Sequence, residues 1–528
     1  MHIRDITDMH HPVRTGLTVI ILAVLAYAAW MSSMSFLLRM WYELTGPFTA
    51  DSPIYWAVGR GILNGLSPYR DLFETKPPGI FLLSSLSLWL SGTMQFGAWM
   101  QTVLLAVIPL SVMIAAWKQV KGHAGLTRWL IAGGALLFGT TLALYVAERS
   151  GEYQVESFGA AFAIAYAGLL AASNGNLSRR GMITASTLIL LSIGMKEPFL
   201  LSCLAIALLL CENRRAFLRG FVLPLIIAAG VGVLLLQLLG MRDGYFHIYI
   251  PEMFGRYGNG GDPLWLRGFW FDRLFFDLRG FSPMLTYGIS GIAIAQVIVG
   301  FHIHGILRGL GNLLAVFCVL YLAALAVGTG NTYYNHHFVF AAGSFAVLFL
   351  ALIRDATRQW RQSDFIRTVT MVTLVLLVPT VQRNPLVNYK AQAASYLSDR
   401  EAAQSVADHI DTVLDRCDMK RYLFIGGNGG QPYGFTRHSP LGPLFFQFDH
   451  LLDDRHQKFR DEFMQSLHQA RLIVLGNFDL NAITEETKTY LAEEFTQRPW
   501  LCAGSVASVE PYMLYYRKPW KVWDLLPE

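Results

Sequence analysis

The stretch from Asp51 to Gly79 holds the residues whose types and spacing could do chemistry: an aspartate at its start, a lysine near its end, and a Gly65-Leu-Ser-Pro68-Tyr69 turn between them. A carboxylate can take a proton from an attacking hydroxyl, and a lysine can stabilise an anion that leaves, a phosphate above all. Asp51 also has a plainer reading. Asp followed by Ser52-Pro53 is a good helix N-cap, and a cap requires no reaction. Both readings stand at this point. Ile54, Tyr55, Val58, Ile62 and Leu63 recur at helical spacing, which predicts an amphipathic helix on the bilayer surface after Asp51. Lys76-Pro77-Pro78-Gly79 is a rigid break that sets the lysine at the mouth of a second apolar helix over 80–90, too short to span a bilayer.

Other polar groups stand at the ends of apolar runs. Glu156 opens such a run, where an unpaired carboxylate is costly, though an acid also suits a helix start. Lys196 stands in a Lys-Glu-Pro break and could hold a phosphate or pair with Glu197. Tyr333-Tyr334-Asn335-His336-His337 precedes a late apolar run. The histidine pair has no third metal ligand at suitable spacing along the chain, so hydrogen bonding to a phosphate or sugar is the favoured reading. Arg256 and Arg267 could bind an anion or face lipid headgroups. Gly426-Gly-Asn-Gly-Gly430 lacks both nucleotide fingerprints and reads as a turn.

The elements that must position these groups are membrane spans. Of 528 residues, 53% are hydrophobic and only 15% charged, which sets the chain apart from an ordinary soluble multidomain protein. Apolar runs of about bilayer length fall at 15–38, 98–117, 129–147, 154–173, 220–240, 283–303, 309–328, 337–354 and 366–383, and 181–211 reads as two short spans broken at Lys196. That predicts eleven spans. Ala26-Tyr27-Ala28 mimics a cleavage site, but the apolar stretch runs on to Leu38, so the first span is read as uncleaved. Lys118, Lys121, Arg128, Arg179, Arg180, Arg214, Arg215, Arg219, Arg308, Arg354, Arg358, Arg361 and Arg367 fall in alternate loops. The positive-inside rule makes those loops cytoplasmic and puts the Asp51 loop and the tail on the far face. The net charge of +5 reflects this bias and calls for no nucleic acid.

The tail, from about residue 384, alternates helix and strand: helices near 391–416, 452–469 and 484–495, and strands at Tyr422–Ile425, Leu472–Leu475 and Tyr512–Tyr516. This predicts a small α/β domain over 384–528, after a membrane domain over 1–383. Cys417 and Cys502 both lie in the tail and could pair in an oxidising compartment.

Asp51-x-x-x-Tyr55, then Gly65-x-x-Pro68-Tyr69-x-Asp71, then Lys76-Pro77-Pro78, resembles the first-loop pattern of the GT-C membrane glycosyltransferases, among them protein O-mannosyltransferases and lipid A aminoarabinose and galacturonate transferases. Glu156, Lys196 and the Tyr333–Phe338 segment match further positions of that family. One departure is Ser52, where many members carry a second acid. The resemblance implies an inverting transfer of a hexose or pentose from a polyprenyl-phosphate carrier; no cofactor is called for, no metal ligand is assigned, and Ser52 leaves the role of an acidic pair or a metal open. Asp51 would be the base. Lys76, with Lys196, Tyr333, Tyr334 or His336, would hold the carrier phosphate, and Tyr55 and Glu156 would line the substrate site. It further implies a bacterial inner-membrane enzyme working on its periplasmic face, with membrane lipids around it and a lipopolysaccharide or other envelope glycan as acceptor. Protein hydroxyls are the alternative acceptor. A lipid-linked-sugar transporter and a polymer ligase are the rival classes, but transporters place ionisable groups near the bilayer midplane, and the Arg-rich loop that such ligases resemble is missing.

Overall fold

The computed structural model describes residues 27, 30–31, 33–44, 51–121, 125–151, 153–253, 262–281, 283–329, 335–359, 386–425, 432–443, 457–476, 485–498, 500–503, 508–509 and 512–518. Among them, seven helices are long and apolar enough to cross a membrane: Gln95–Gln119, Arg128–Ser150, Val155–Ala172, Arg214–Leu238, Thr286–Ile303, Gly305–Gly328 and Asn335–Arg358. Gly79–Ser91 and Phe199–Leu210 are shorter apolar helices. Of the eleven expected spans, 366–383 and most of 15–38 lie outside the described residues. The expected break at Lys196 is present, between helices Arg179–Met195 and Phe199–Leu210.

The spans differ in what surrounds them. Within Asn335–Arg358, 94% of the apolar window is buried in protein, against 22% for Arg214–Leu238. The first is therefore a central helix. The second turns Ile226, Leu234 and Leu238 outward, a surface stable only against lipid. Helix Pro283–Gly328 breaks at Gly305, whose φ of 72° lies in the left-handed region that glycine alone enters freely. Its two halves are the two expected spans.

The tail forms a mixed sheet from β1 (Arg421–Ile425), β2 (Ser439–Pro440), β3 (Leu472–Leu475), β4 (Phe495–Thr496), β5 (Ser508–Val509) and β6 (Tyr512–Arg517). The order is β2-β1-β3-β6-β4, with β5 also on β6. β1 runs parallel to β3, Phe424 opposite Val474, and β6 runs antiparallel to β3, Tyr515 opposite Ile473. Helices Leu386–Arg416, Gln457–Gln469 and Glu485–Glu494 fall where the periodicity predicts them. The three two-residue strands are too short to leave a pattern. Cys417 and Cys502 are disulfide-bonded, which ties the end of helix Leu386–Arg416 to the turn Leu501–Ala503. Replacing either by serine is expected to destabilise the tail by about 2–4 kcal/mol. Limited proteolysis of the full chain reads this as faster tail cleavage with the membrane helices intact.

Helix Ser52–Leu63 forms as expected, but its polar side is not left open. It is buried on nearly every side, between helix Gly79–Ser91 and the tail. Gly59 makes the first contact possible: a Cβ there would come 2.7 Å from Ser84 Cβ, and Ser85 Oγ donates to the Gly59 carbonyl at 2.8 Å. On the other side Gly434 meets Pro53, and Phe435 packs edge-on against Trp56 at 5.3 Å. Asn64 Nδ2 donates to Ser439 Oγ at 3.0 Å, and the Phe73 amide donates to the Pro443 carbonyl at 2.8 Å. The tail therefore sits on the loop that begins at Asp51, on the same face. Helical periodicity reveals an apolar side but not a protein cover over the polar one.

Candidate functional site

The two readings of Asp51 are separated by its geometry. Its backbone carbonyl accepts from the Ile54 and Tyr55 amides, while its carboxylate makes no capping bond to the helix. Oδ2 instead accepts from Gln154 Nε2 at 3.2 Å and lies 3.5 Å from the Tyr55 hydroxyl, which donates to Gln154 Oε1 at 3.0 Å. Burial, then the Asp51 charge, holds the Tyr55 phenol well above its usual range, so it stays a donor. The Asp51 side chain itself is half-buried. A carboxylate oriented by the Gln154 amide, itself held by Tyr55, and still partly exposed can accept a proton from another group. Gln154 was not among the residues the sequence singled out. It precedes helix Val155–Ala172 by one position, and a lone glutamine at a loop end carries no spacing signal.

Glycine and proline bring the two lysines toward each other. A Cβ on Gly79 would stand 2.5 Å from the Gly194 carbonyl oxygen, so the Lys76-Pro77-Pro78 turn can rest against the last turn of helix Arg179–Met195, two residues before Lys196. The hairpin is fixed in turn on helix Val155–Ala172: Phe199 occupies the space a Gly159 side chain would fill, and Ser192 Oγ donates to the Gly159 carbonyl at 2.8 Å. Phe199 also packs edge-on against Phe340 at 5.0 Å, and Ser202 Oγ donates to the Phe340 carbonyl, which draws in the turn carrying His336 and His337. Gly79→Ala is expected to cost about 1–3 kcal/mol by overpacking, and to lower activity by displacing Lys76. Comparing its thermal midpoint and activity with those of Gly92→Ala, where a Cβ meets nothing but the backbone is also left-handed, checks that the contact matters.

Lys196 does not pair with Glu197, one of the two readings open from sequence. Its Nζ lies 3.2 Å from Oε1 of Glu156, which has no exposed surface. Glu197 accepts from the Tyr249 hydroxyl at 2.7 Å and from Tyr245 at 3.4 Å. Both rings pack against Tyr69, whose hydroxyl donates to the Lys76 carbonyl at 2.9 Å. Tyr69 adopts φ of 70°, which turns its ring into this cluster. One aromatic group thus braces both lysine-bearing segments.

Lys76 Nζ lies 3.5 Å from Glu74 Oε1. Burial pushes the Glu74 carboxyl up, against the pull of Lys76, and Asp51 and Lys196 are near enough to act on it too. His336 Nε2 is 3.9 Å from Glu156 Oε1. Asp51, Glu74, Lys76, Glu156, Lys196, His336 and His337 therefore form one mixed-charge cluster, with Tyr55 at its Asp51 end. Tyr333 and Tyr334 lie outside the described residues, as do Arg256 and Gly426–Gly430. Arg267 is buried and donates to the carbonyls of Asp262 and Gly328, so it serves the fold and faces neither substrate nor headgroups.

No family model matches the chain, and no curated protein matches it. The chain is similar to two crystal structures of ArnT from Cupriavidus metallidurans. One, bound to undecaprenyl phosphate, is 13% identical over 97% of this chain and 100% of that one, with a TM-score of 0.47. The other, in the apo state, is 15% identical over 98% of this chain and 100% of that one, also with a TM-score of 0.47.

Proposed function

We propose that the protein is a membrane glycosyltransferase of the GT-C type that moves a sugar from a polyprenyl-monophosphate carrier to an envelope glycan. The observation that carries this reading is the Asp51 carboxylate: it is held by Gln154 beside Tyr55, makes no helix cap, and stands in one cluster with two lysines. Asp51 takes the acceptor hydroxyl proton as that oxygen forms a bond to the anomeric carbon. The bond from that carbon to the phosphate oxygen breaks on the opposite face, and its electron pair leaves with the polyprenyl phosphate. The product is inverted at the anomeric carbon. Lys76 and Lys196, with His336, Tyr333 or Tyr334, meet the charge that develops on the leaving phosphate. Glu156 holds Lys196 in place.

In this reading residues 1–383 form the catalytic membrane domain, and the tail over 384–528 covers the first loop on the periplasmic face of a bacterial inner membrane. Lipopolysaccharide or a similar glycan is the first acceptor to test and protein hydroxyls the second. Mass spectrometry of envelope glycans and glycoproteins, with and without the gene, tests it: loss of one sugar from an envelope glycan is expected. Unchanged glycans and glycoproteins would overturn it.

A further inference from the structure

Spacing along the chain gave the His336–His337 pair no third metal ligand, but folding supplies one from another helix. Glu156, His336 and His337 each offer a ligand atom, and these lie within 4.8 Å of one another. Glu156 has no exposed surface, yet among the described residues neither of its carboxylate oxygens accepts a hydrogen bond and only ion-pair contacts meet it. Its contacts are the Lys196 ammonium at 3.2 Å and the His336 ring at 3.9 Å. Buried carboxylates normally fill their acceptor sites, so one that does not is unusual. The two rings stand edge to face at 4.6 Å, and His337 stacks on Phe340 at 5.5 Å, which fixes the turn that presents them.

We propose that Glu156, His336 and His337 bind a divalent transition-metal ion of the zinc class. Two imidazoles and one carboxylate are a ligand set that such ions take when one position is kept open. Among the described residues the lysine in ion-pair contact with Glu156 is Lys196, at 3.2 Å, so ion and lysine compete for the same carboxylate. An ion that takes Glu156 releases the Lys196 ammonium. Resting on the transferase reading, we assign the open position and the freed ammonium to one ligand, the phosphate of the lipid carrier.

The test is ion binding, which is independent of sugar transfer. Full-length protein in detergent, freed of any affinity tag and stripped with a chelator, is titrated with cobalt(II) as a coloured probe and with zinc as its competitor. One displaceable cobalt per chain is expected. Glu156→Gln and His337→Ala should each weaken it by roughly a hundredfold or more, since even residues behind the ligands are worth about 10–100-fold in affinity. Lys196→Met should tighten it about tenfold by removing the competing charge. If Glu156 only balances Lys196, cobalt does not bind, or binds equally to wild type and to Glu156→Gln. Lys196→Met then destabilises the fold without gaining an ion. Either result overturns the proposal. Metal binding without sugar transfer would instead sink the transferase reading and leave the site standing.

Discussion

Asp51→Asn is expected to abolish sugar transfer while the protein still folds and still binds its carrier. The amide keeps the size of the side chain, and an oxygen can still accept from Gln154 Nε2, as Asp51 does at 3.2 Å. Because the Asp51 side chain makes no helix cap, the helix Ser52–Leu63 loses nothing. What disappears is the ability to take a proton. General-base catalysis contributes about 10²–10⁴-fold, and turnover should fall by at least that range with donor KM little changed. A control separates positioning from proton transfer: Gln154→Ala removes the donor to Asp51 but leaves its charge, and should lower turnover by less. Full activity in Asp51→Asn would remove the base assignment.

Lys76→Ala has the second largest expected effect, a loss of roughly 10²–10³-fold in kcat/KM, the range seen when a group that stabilises developing anionic charge is removed. Carrier affinity should carry much of it, because the phosphate is anionic before and after transfer. A structural objection arises from Glu74, buried and 3.5 Å from the ammonium. Removing one partner of a buried pair usually costs 3–5 kcal/mol. Here burial already pushes the Glu74 carboxyl upward, so it can take a proton once the lysine is gone and stay buried as a neutral acid. The double variant Lys76→Ala/Glu74→Gln removes the question altogether. It should bind the carrier as weakly as Lys76→Ala; recovery of affinity would mean that Lys76 serves Glu74 and not a phosphate.

The elements were legible from sequence wherever one residue pattern has one structural outcome. Bilayer-length apolar runs gave the long helices, the Lys196-Glu197-Pro198 break gave the hairpin, and alternating periodicities gave β1, β3 and β6 with the helices between them. Asp51 and Lys76 were legible as candidates because their charges stand in an otherwise apolar and turn-rich loop. Contacts between distant segments were not legible. Lys196 finds Glu156 forty positions away and not its neighbour Glu197, because Tyr249 and Tyr245, from the segment after helix Arg214–Leu238, occupy the latter. Gln154 reaches Asp51 across 103 positions. Nor does the helix Ser52–Leu63 announce its cover: the glycines at 59 and 434 permit close approach, but a glycine in sequence does not say to what.

The central claim is that a glycosidic bond to a phosphate is broken here, and one reconstitution tests it. Purified protein in vesicles, with no transmembrane gradient, is given a polyprenyl-phosphate donor carrying a labelled sugar and an envelope glycan fraction as acceptor. The account predicts label on the acceptor with inverted anomeric configuration, equimolar release of polyprenyl phosphate, and neither product with Asp51→Asn. Label that crosses the bilayer still joined to its lipid, with no polyprenyl phosphate released, would contradict it and make the protein a transporter.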